Sequence, residues 1–284
     1  MSETIVIENE QLRVEITPAG AEMMSIKKNG AERLWCGDPN IWDGHAPILF
    51  PICGGLRSGS FLYKGKEYPT PKHGFASTSV FLPEIRRTDK AVFLLKSDGN
   101  TKKIYPFDFE FRATYTLDEN KLTVDFEVKN TGTEDMYYSV GAHEAYACPG
   151  GIENYKIIFE KPENLESNLV EDGILSHKTI CVAKDTNILE LKNEYFEIDA
   201  LIFCGLKSRR LTLADNDGNK VAEVDFNGSD YLLLWTIPGA EFICIEPWCG
   251  LPDYIDSARN ICTKPGIIRL VPGMADVRRH TITF

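Results

Sequence analysis

Glu246 lies in FICIEPWCGLPD, residues 242–253, directly behind the apolar stretch Phe242-Ile243-Cys244-Ile245. A carboxylate taken out of water needs a partner or changes its pKa, so its placement in a buried-strand pattern points to a purpose. Pro247 is expected to end that strand. Three other ionisable residues stand in segments rich in glycine or proline: Arg57 in GGLRSG, His73 in PKHGF and His143 in SVGAHEAYACPG. Carboxylate and imidazole together are the groups for giving and taking protons near neutral pH. A guanidinium fork held in a Gly-rich loop suits several hydroxyls or an oxyanion, and Gly74 lets the backbone beside His73 approach a ligand. Each residue alone also has a structural reading. His143 could be a hydrogen-bonded histidine at a strand end, His73 a turn residue, Arg57 a surface cation, and Glu246 one half of a buried ion pair.

Other chemistries have less support. The five histidines are isolated, and no HxH, HExxH or CxxC spacing occurs, so the sequence shows no metal site. Cys249 beside Trp248 has no histidine near it in sequence that would mark a nucleophile. GGLRSG matches neither a Walker loop nor a GxGxxG fingerprint, which disfavours nucleotide binding.

The elements that must position these groups follow a period of two. Phe109, Phe111, Ala113, Tyr115 and Leu117 alternate with polar residues, and after Asp118-Glu119-Asn120 so do Leu122, Val124, Phe126 and Val128. That is a β-hairpin with one buried face. The alternation recurs at Ile5 and Ile7, at Leu12, Val14 and Ile16, and at Ala222, Val224 and Phe226. Turn pairs such as Asn29-Gly30, Lys64-Gly65 and Asn227-Gly228 punctuate it. The best helical candidate is a weak one, Asp185–Phe196. These features predict an all-β protein, a large antiparallel β-sandwich with few short helices, and with no linker or repeat in view, one domain over 1–284.

Composition is that of a globular chain, 43% apolar and 26% charged. The net charge of −11 disfavours nucleic acid and anionic membranes as partners. Met1-Ser2-Glu3-Thr4 does not resemble a secretory leader, and no apolar run reaches the ~18 residues of a spanning helix. The eight cysteines are spread along the chain, with Cys36, Cys204 and Cys244 inside apolar runs, and are expected to be reduced, buried thiols. The expected compartment is the cytoplasm.

Taken in order, the loop arginine, HGF, the strand-end histidine and the IEP…PD glutamate resemble the aldose 1-epimerase (galactose mutarotase) family. FPICGGLRSGSF, PKHGFAS and CIEPWCGLPD are similar to its LacX-like branch, and the likeness runs nearly the whole chain. The resemblance implies a β-supersandwich with an open cleft that interconverts the anomers of a free sugar without a cofactor. It implies Glu246 as general base and His143 as general acid, with Arg57 and His73 on the substrate. It matches Asp199 in FEIDALIF loosely to a residue that grips sugar hydroxyls. Trp248, two residues after the base, would offer a platform to a sugar face. Leu56 stands where mutarotases usually carry Asn, and Glu144-Ala145-Tyr146 replaces a Thr or Pro followed by aromatics; both departures bear on sugar identity.

The expected partner is a small sugar, and the chain a monomer or homodimer. The acid role works best if the His143 pKa is raised towards or above neutrality, and Glu144 would contribute if the two side chains meet. Three other readings stand beside this one: a non-catalytic carbohydrate-binding protein on the same fold, a glycoside hydrolase or lyase using Glu144 as second carboxylate, and an epimerase for a hexose 6-phosphate. For the last, Lys72, Lys207, Arg209 and Arg210 are the candidate phosphate contacts.

Overall fold

The alternation at 109–130 folds as the hairpin it predicts. Strands Phe109–Asp118 and Lys121–Asn130 pair with Leu117 opposite Leu122 and Phe111 opposite Val128, and every second residue is buried. The whole structure, a computed structural model, describes residues 3–284. It is 53% strand and 7% helix, an all-β fold.

Most strands belong to one large antiparallel sheet. Its neighbours run in the order Val140–Gly141, Phe242–Cys249, Tyr231–Trp235, Leu201–Cys204, Tyr155–Glu171, Arg210–Asp215, Lys220–Asp225, Ala275–Thr283, Lys121–Asn130, Phe109–Asp118, Lys90–Lys96 and Leu82–Arg86. Glu144–Ala147 adds to Phe242–Cys249, and Ile174–Glu190 to Tyr155–Glu171. A smaller sheet of Ile5–Glu8, Leu12–Ile16, Met23–Lys28 and Ala31–Glu32 packs its Ile7, Val14 and Ile26 into the same core as Phe111, Val124, Leu213, Ile243 and Ile245. Phe50 stacks on Phe111 with centroids 4.5 Å apart and meets Phe109 and Tyr138 edge-on or tilted.

Several expectations change. Asp185–Phe196 is not helical: strand Ile174–Glu190 runs to Glu190, and only a short 3-10 turn follows at Asn193–Phe196. Ile188 and Leu189 pair with Ile158 and Ile157, and Leu189 and Leu191 are both buried, a period of two that a helix would break. The strand of Glu246 continues past Pro247 to Cys249, with all eight residues buried. All eight cysteines are free; Cys244 is buried as expected, whereas Cys36 and Cys204 are exposed. Among the described residues no helix is long and apolar enough to cross a membrane.

Candidate active site

Strand Phe242–Cys249 is flanked by Tyr231–Trp235 on one edge and by Glu144–Ala147 and Val140–Gly141 on the other. Pleating sends alternate residues to opposite faces. Ile243, Ile245 and Cys249 enter the main core, while Phe242, Cys244, Glu246 and Trp248 face the other way. The second face opens on a cleft of about 430 Å³, a size that suits a small organic ligand.

Pro247 explains how two of these side chains are aimed. It lies opposite Ala142, whose N–H donates to the Pro247 carbonyl at 3.1 Å. Proline has no N–H to return to the Ala142 carbonyl. The indole Nε1–H of Trp248 donates there instead, also at 3.1 Å. Gly141 makes room for the ring, since a Cβ at that position would stand 2.6 Å from Trp248 Cδ1.

The same register puts His143 directly opposite Glu246. Because Ala142 and Pro247 form the hydrogen-bonded pair, His143 and Glu246 form the adjacent non-hydrogen-bonded pair, the type in which side chains stand closest. Their closest atoms, His143 Nε2 and Glu246 Oε2, are 3.3 Å apart. The His143 imidazole is packed by Trp42 (centroids 5.3 Å), Trp235 (5.6 Å) and His73 (5.8 Å).

Burial sets the protonation of the pair. Loss of water raises the Glu246 carboxyl well above its ordinary range; Glu144 and Asp199 add to this, and Lys72 opposes it. Burial lowers the His143 imidazole to about 3. The expectation of a raised His143 is therefore corrected: burial favours a protonated Glu246 beside a neutral His143, because a low-dielectric site favours the neutral pair over the ion pair. Glu144 does not meet His143 either. It points to the opposite face, where its Oε1 lies 2.8 Å from His280 Nε2.

His73 takes a left-handed backbone (φ 66°) followed by Gly74 (φ 76°), whose Cα passes so close to Phe50 that a Cβ would lie 2.2 Å from the Phe50 carbonyl oxygen. Its Nδ1 accepts the Gly54 N–H at 3.2 Å. That bond leaves the ring proton on Nε2, and burial keeps the ring neutral by lowering its pKa well below the usual value. His73 is thus a fixed, uncharged donor. Asp199, half-buried, also lines the cleft, its Oδ1 accepting the N–H of Ala200 at 2.8 Å.

The structure therefore brings Glu246, His143, His73, Asp199 and Trp248 to one cleft. Arg57 is not among the lining residues: its side chain is exposed and donates to the Ser257 carbonyl at 2.7 Å, while its backbone N–H binds Asp253 Oδ2 at 3.0 Å. Sequence reasoning missed Trp42 and Trp235 as cleft residues, whereas Lys72, named as a candidate phosphate contact, does line the cleft. Trp42, Trp235 and Trp248 are three of only four tryptophans in the chain, and that scarcity, set beside a sugar reading, was the available signal.

A sequence model of the family described as "Aldose 1-epimerase" matches residues 3–255. The plasmid-encoded protein LacX of Lactococcus lactis subsp. lactis is 33% identical over 296 residues, covering 99% of both chains. A galactose mutarotase related enzyme from Lactobacillus acidophilus superposes with a TM-score of 0.94 at 30% identity, over 99% of this chain and 97% of its own. A galactose mutarotase-like protein from Lactobacillus casei shares the fold with a TM-score of 0.91 at 24% identity, over 99% of each chain. The chain belongs to the aldose 1-epimerase family.

Proposed function

We propose that this protein interconverts the α and β anomers of a free hexose or related sugar by acid–base ring opening and reclosure. The observation that carries the proposal is the His143–Glu246 pair, 3.3 Å apart in a tryptophan-lined cleft. Ring opening removes the proton of the C1 hydroxyl and protonates the ring oxygen; rotation about C1–C2 and the reverse transfers close the ring on the other face. One acid and one base suffice.

Glu246 acts as base and His143 as acid. Burial favours the proton on Glu246, and moving it to His143 does not change the net charge. A sugar favours that move, because its C1 hydroxyl donates to the carboxylate while its ring oxygen accepts from the imidazolium. Glu246 is held within a paired strand and His143 between two short strands paired with it, which limits reorganisation during transfer. His73 donates through Nε2 to a sugar oxygen, Asp199 accepts from hydroxyls, and Trp248 with Trp42 and Trp235 offers apolar faces to the ring.

One observation favours a second substrate class. Lys72 lines the cleft, the single cation among its lining residues, and it would suit a hexose 6-phosphate. Lys207, Arg209 and Arg210 do not line the cleft with it. Free hexoses are therefore the first choice. The glycosidase reading loses its proposed second carboxylate, since Glu144 faces away from the cleft.

The test is the decay of optical rotation of freshly dissolved α-glucose and α-galactose. Acceleration over buffer is expected with at least one of them. Acceleration with hexose 6-phosphates alone would move the specificity to the second class. Sugar binding without acceleration of any anomer exchange would replace the proposal with a binding protein.

A further inference from the structure

Cys244 shares the cleft-facing side of its strand with Glu246, and it lies diagonally across from His143. The fourth corner of that cross-strand square is Ala145, opposite Cys244, whose small side chain offers no competing donor. Metal-ligating atoms of His143, Cys244 and Glu246 all lie within 4.8 Å of one another. Glu246 Oε2 and His143 Nδ1 are buried without a hydrogen-bond partner, and Glu246 as a whole is 1% exposed.

We propose that His143, Cys244 and Glu246 form a site for a thiophilic divalent cation, Zn²⁺ above all, and that its occupancy blocks the acid–base pair. Imidazole, thiolate and carboxylate are the donors zinc prefers, and three protein ligands with an open fourth position make the pattern of exchangeable rather than structural sites. Bond lengths of ~2.0–2.3 Å at a tetrahedral ion separate donor atoms by roughly 3.3–3.6 Å. His143 and Glu246 already span 3.3 Å, and since all three donor atoms lie within 4.8 Å of one another, a modest side-chain rotation of Cys244 closes the site. Binding displaces the Cys244 thiol proton and any proton on Glu246 to solvent, and the ion carries the compensating charge. The fourth position points to the cleft and takes water, so ion and sugar exclude each other. No metal spacing marks these residues in the sequence, because two of them sit i, i+2 on one strand and the third lies about a hundred residues away in the step between two others.

The experiment is a titration of reduced, metal-free protein with Co²⁺, followed by displacement with Zn²⁺. Expected is a thiolate-to-cobalt charge-transfer band and tetrahedral visible bands that saturate at one ion per chain and vanish on adding Zn²⁺. Cys244→Ala is expected to remove the charge-transfer band and weaken Zn²⁺ binding by about 100-fold or more. Cys244→Ser, closer in volume, gives the same loss in a chain whose circular dichroism confirms the fold. Absence of the band in the wild type overturns the proposal. So does a band unchanged in both variants, which would assign the ion to an exposed thiol such as Cys36, Cys181 or Cys204. The absorption readout does not depend on turnover, so it stands or falls apart from the epimerase reading. If the protein is active, Zn²⁺ is also expected to inhibit wild type competitively with sugar and to spare Cys244→Ala.

Discussion

The central residue-scale fact is a carboxyl group kept where it least favours ionisation. Its folded pKa is raised, by burial first. The folded state therefore holds a proton that the unfolded chain releases. Stability from this group is fully present below the unfolded pKa, about 4.3, and is lost as pH rises towards the folded value. Glu246→Gln removes the titration. The variant is expected to melt higher than wild type, by a margin that grows as pH rises above about 5, and the same substitution should abolish most of the activity. A melting-temperature difference that shrinks over that range would contradict the assignment. His73 offers a second check. His73→Ala removes the acceptor of the buried Gly54 N–H and should cost about 1–3 kcal/mol of stability. It should also raise KM for the sugar more than it lowers kcat, as measured by steady-state polarimetry at several sugar concentrations.

At the scale of elements, the site depends on one interrupted ladder. Pro247 withholds an N–H, the Ala142 carbonyl turns to the Trp248 indole, and the next pair outward from that contact is His143 with Glu246. Pro247→Ala supplies a competing N–H and is expected to free the indole, shifting tryptophan emission and raising KM several-fold, about 3–10, with a smaller change in kcat. Unchanged emission and KM would show that the indole is held by packing alone. This is also where the sequence was least legible. Alternation identified the hairpin at 109–130, because burial of one sheet face writes itself directly into residue order; the segments of Arg57, His73 and His143 stood out instead by breaking it with glycine and proline, and that of Glu246 by its continuous apolar run. It could not show that the strand of Glu246 tolerates a proline, because that depends on which neighbour's carbonyl finds another donor. Nor could it show that Glu144 points away from His143. Adjacent residues on a strand face opposite sides, and only the register with Phe242–Cys249 says which side holds the cleft. The raised pKa expected for His143 failed for a related reason: the sequence shows the partner but not the surrounding Trp42 and Trp235 that exclude water.

At the scale of the molecule, the net charge of −11 and a cleft with a single lysine fit an uncharged substrate better than an anionic one. Turnover of free hexoses is expected to change less than about twofold between low and high salt, since a neutral ligand feels no long-range steering. Lys72→Met should leave it similarly unaffected, whereas a protein built for sugar phosphates would lose turnover in both tests. The sheet also supports the floor of the site: Glu246 sits within strand Phe242–Cys249, and His143 sits in the two-residue step between Val140–Gly141 and Glu144–Ala147, both of which pair with that strand, with the main core on its other face. The account's central claim is that these two side chains act as one unit. The most direct measurement is the rate of anomer exchange, by polarimetry, for wild type, Glu246→Gln, His143→Asn and the double variant. Each single substitution is expected to lower the catalysed rate by ~10²–10⁴, and the double variant to fall no further than the more damaged single. Losses that multiply in the double variant, or a single variant with wild-type turnover, would contradict it.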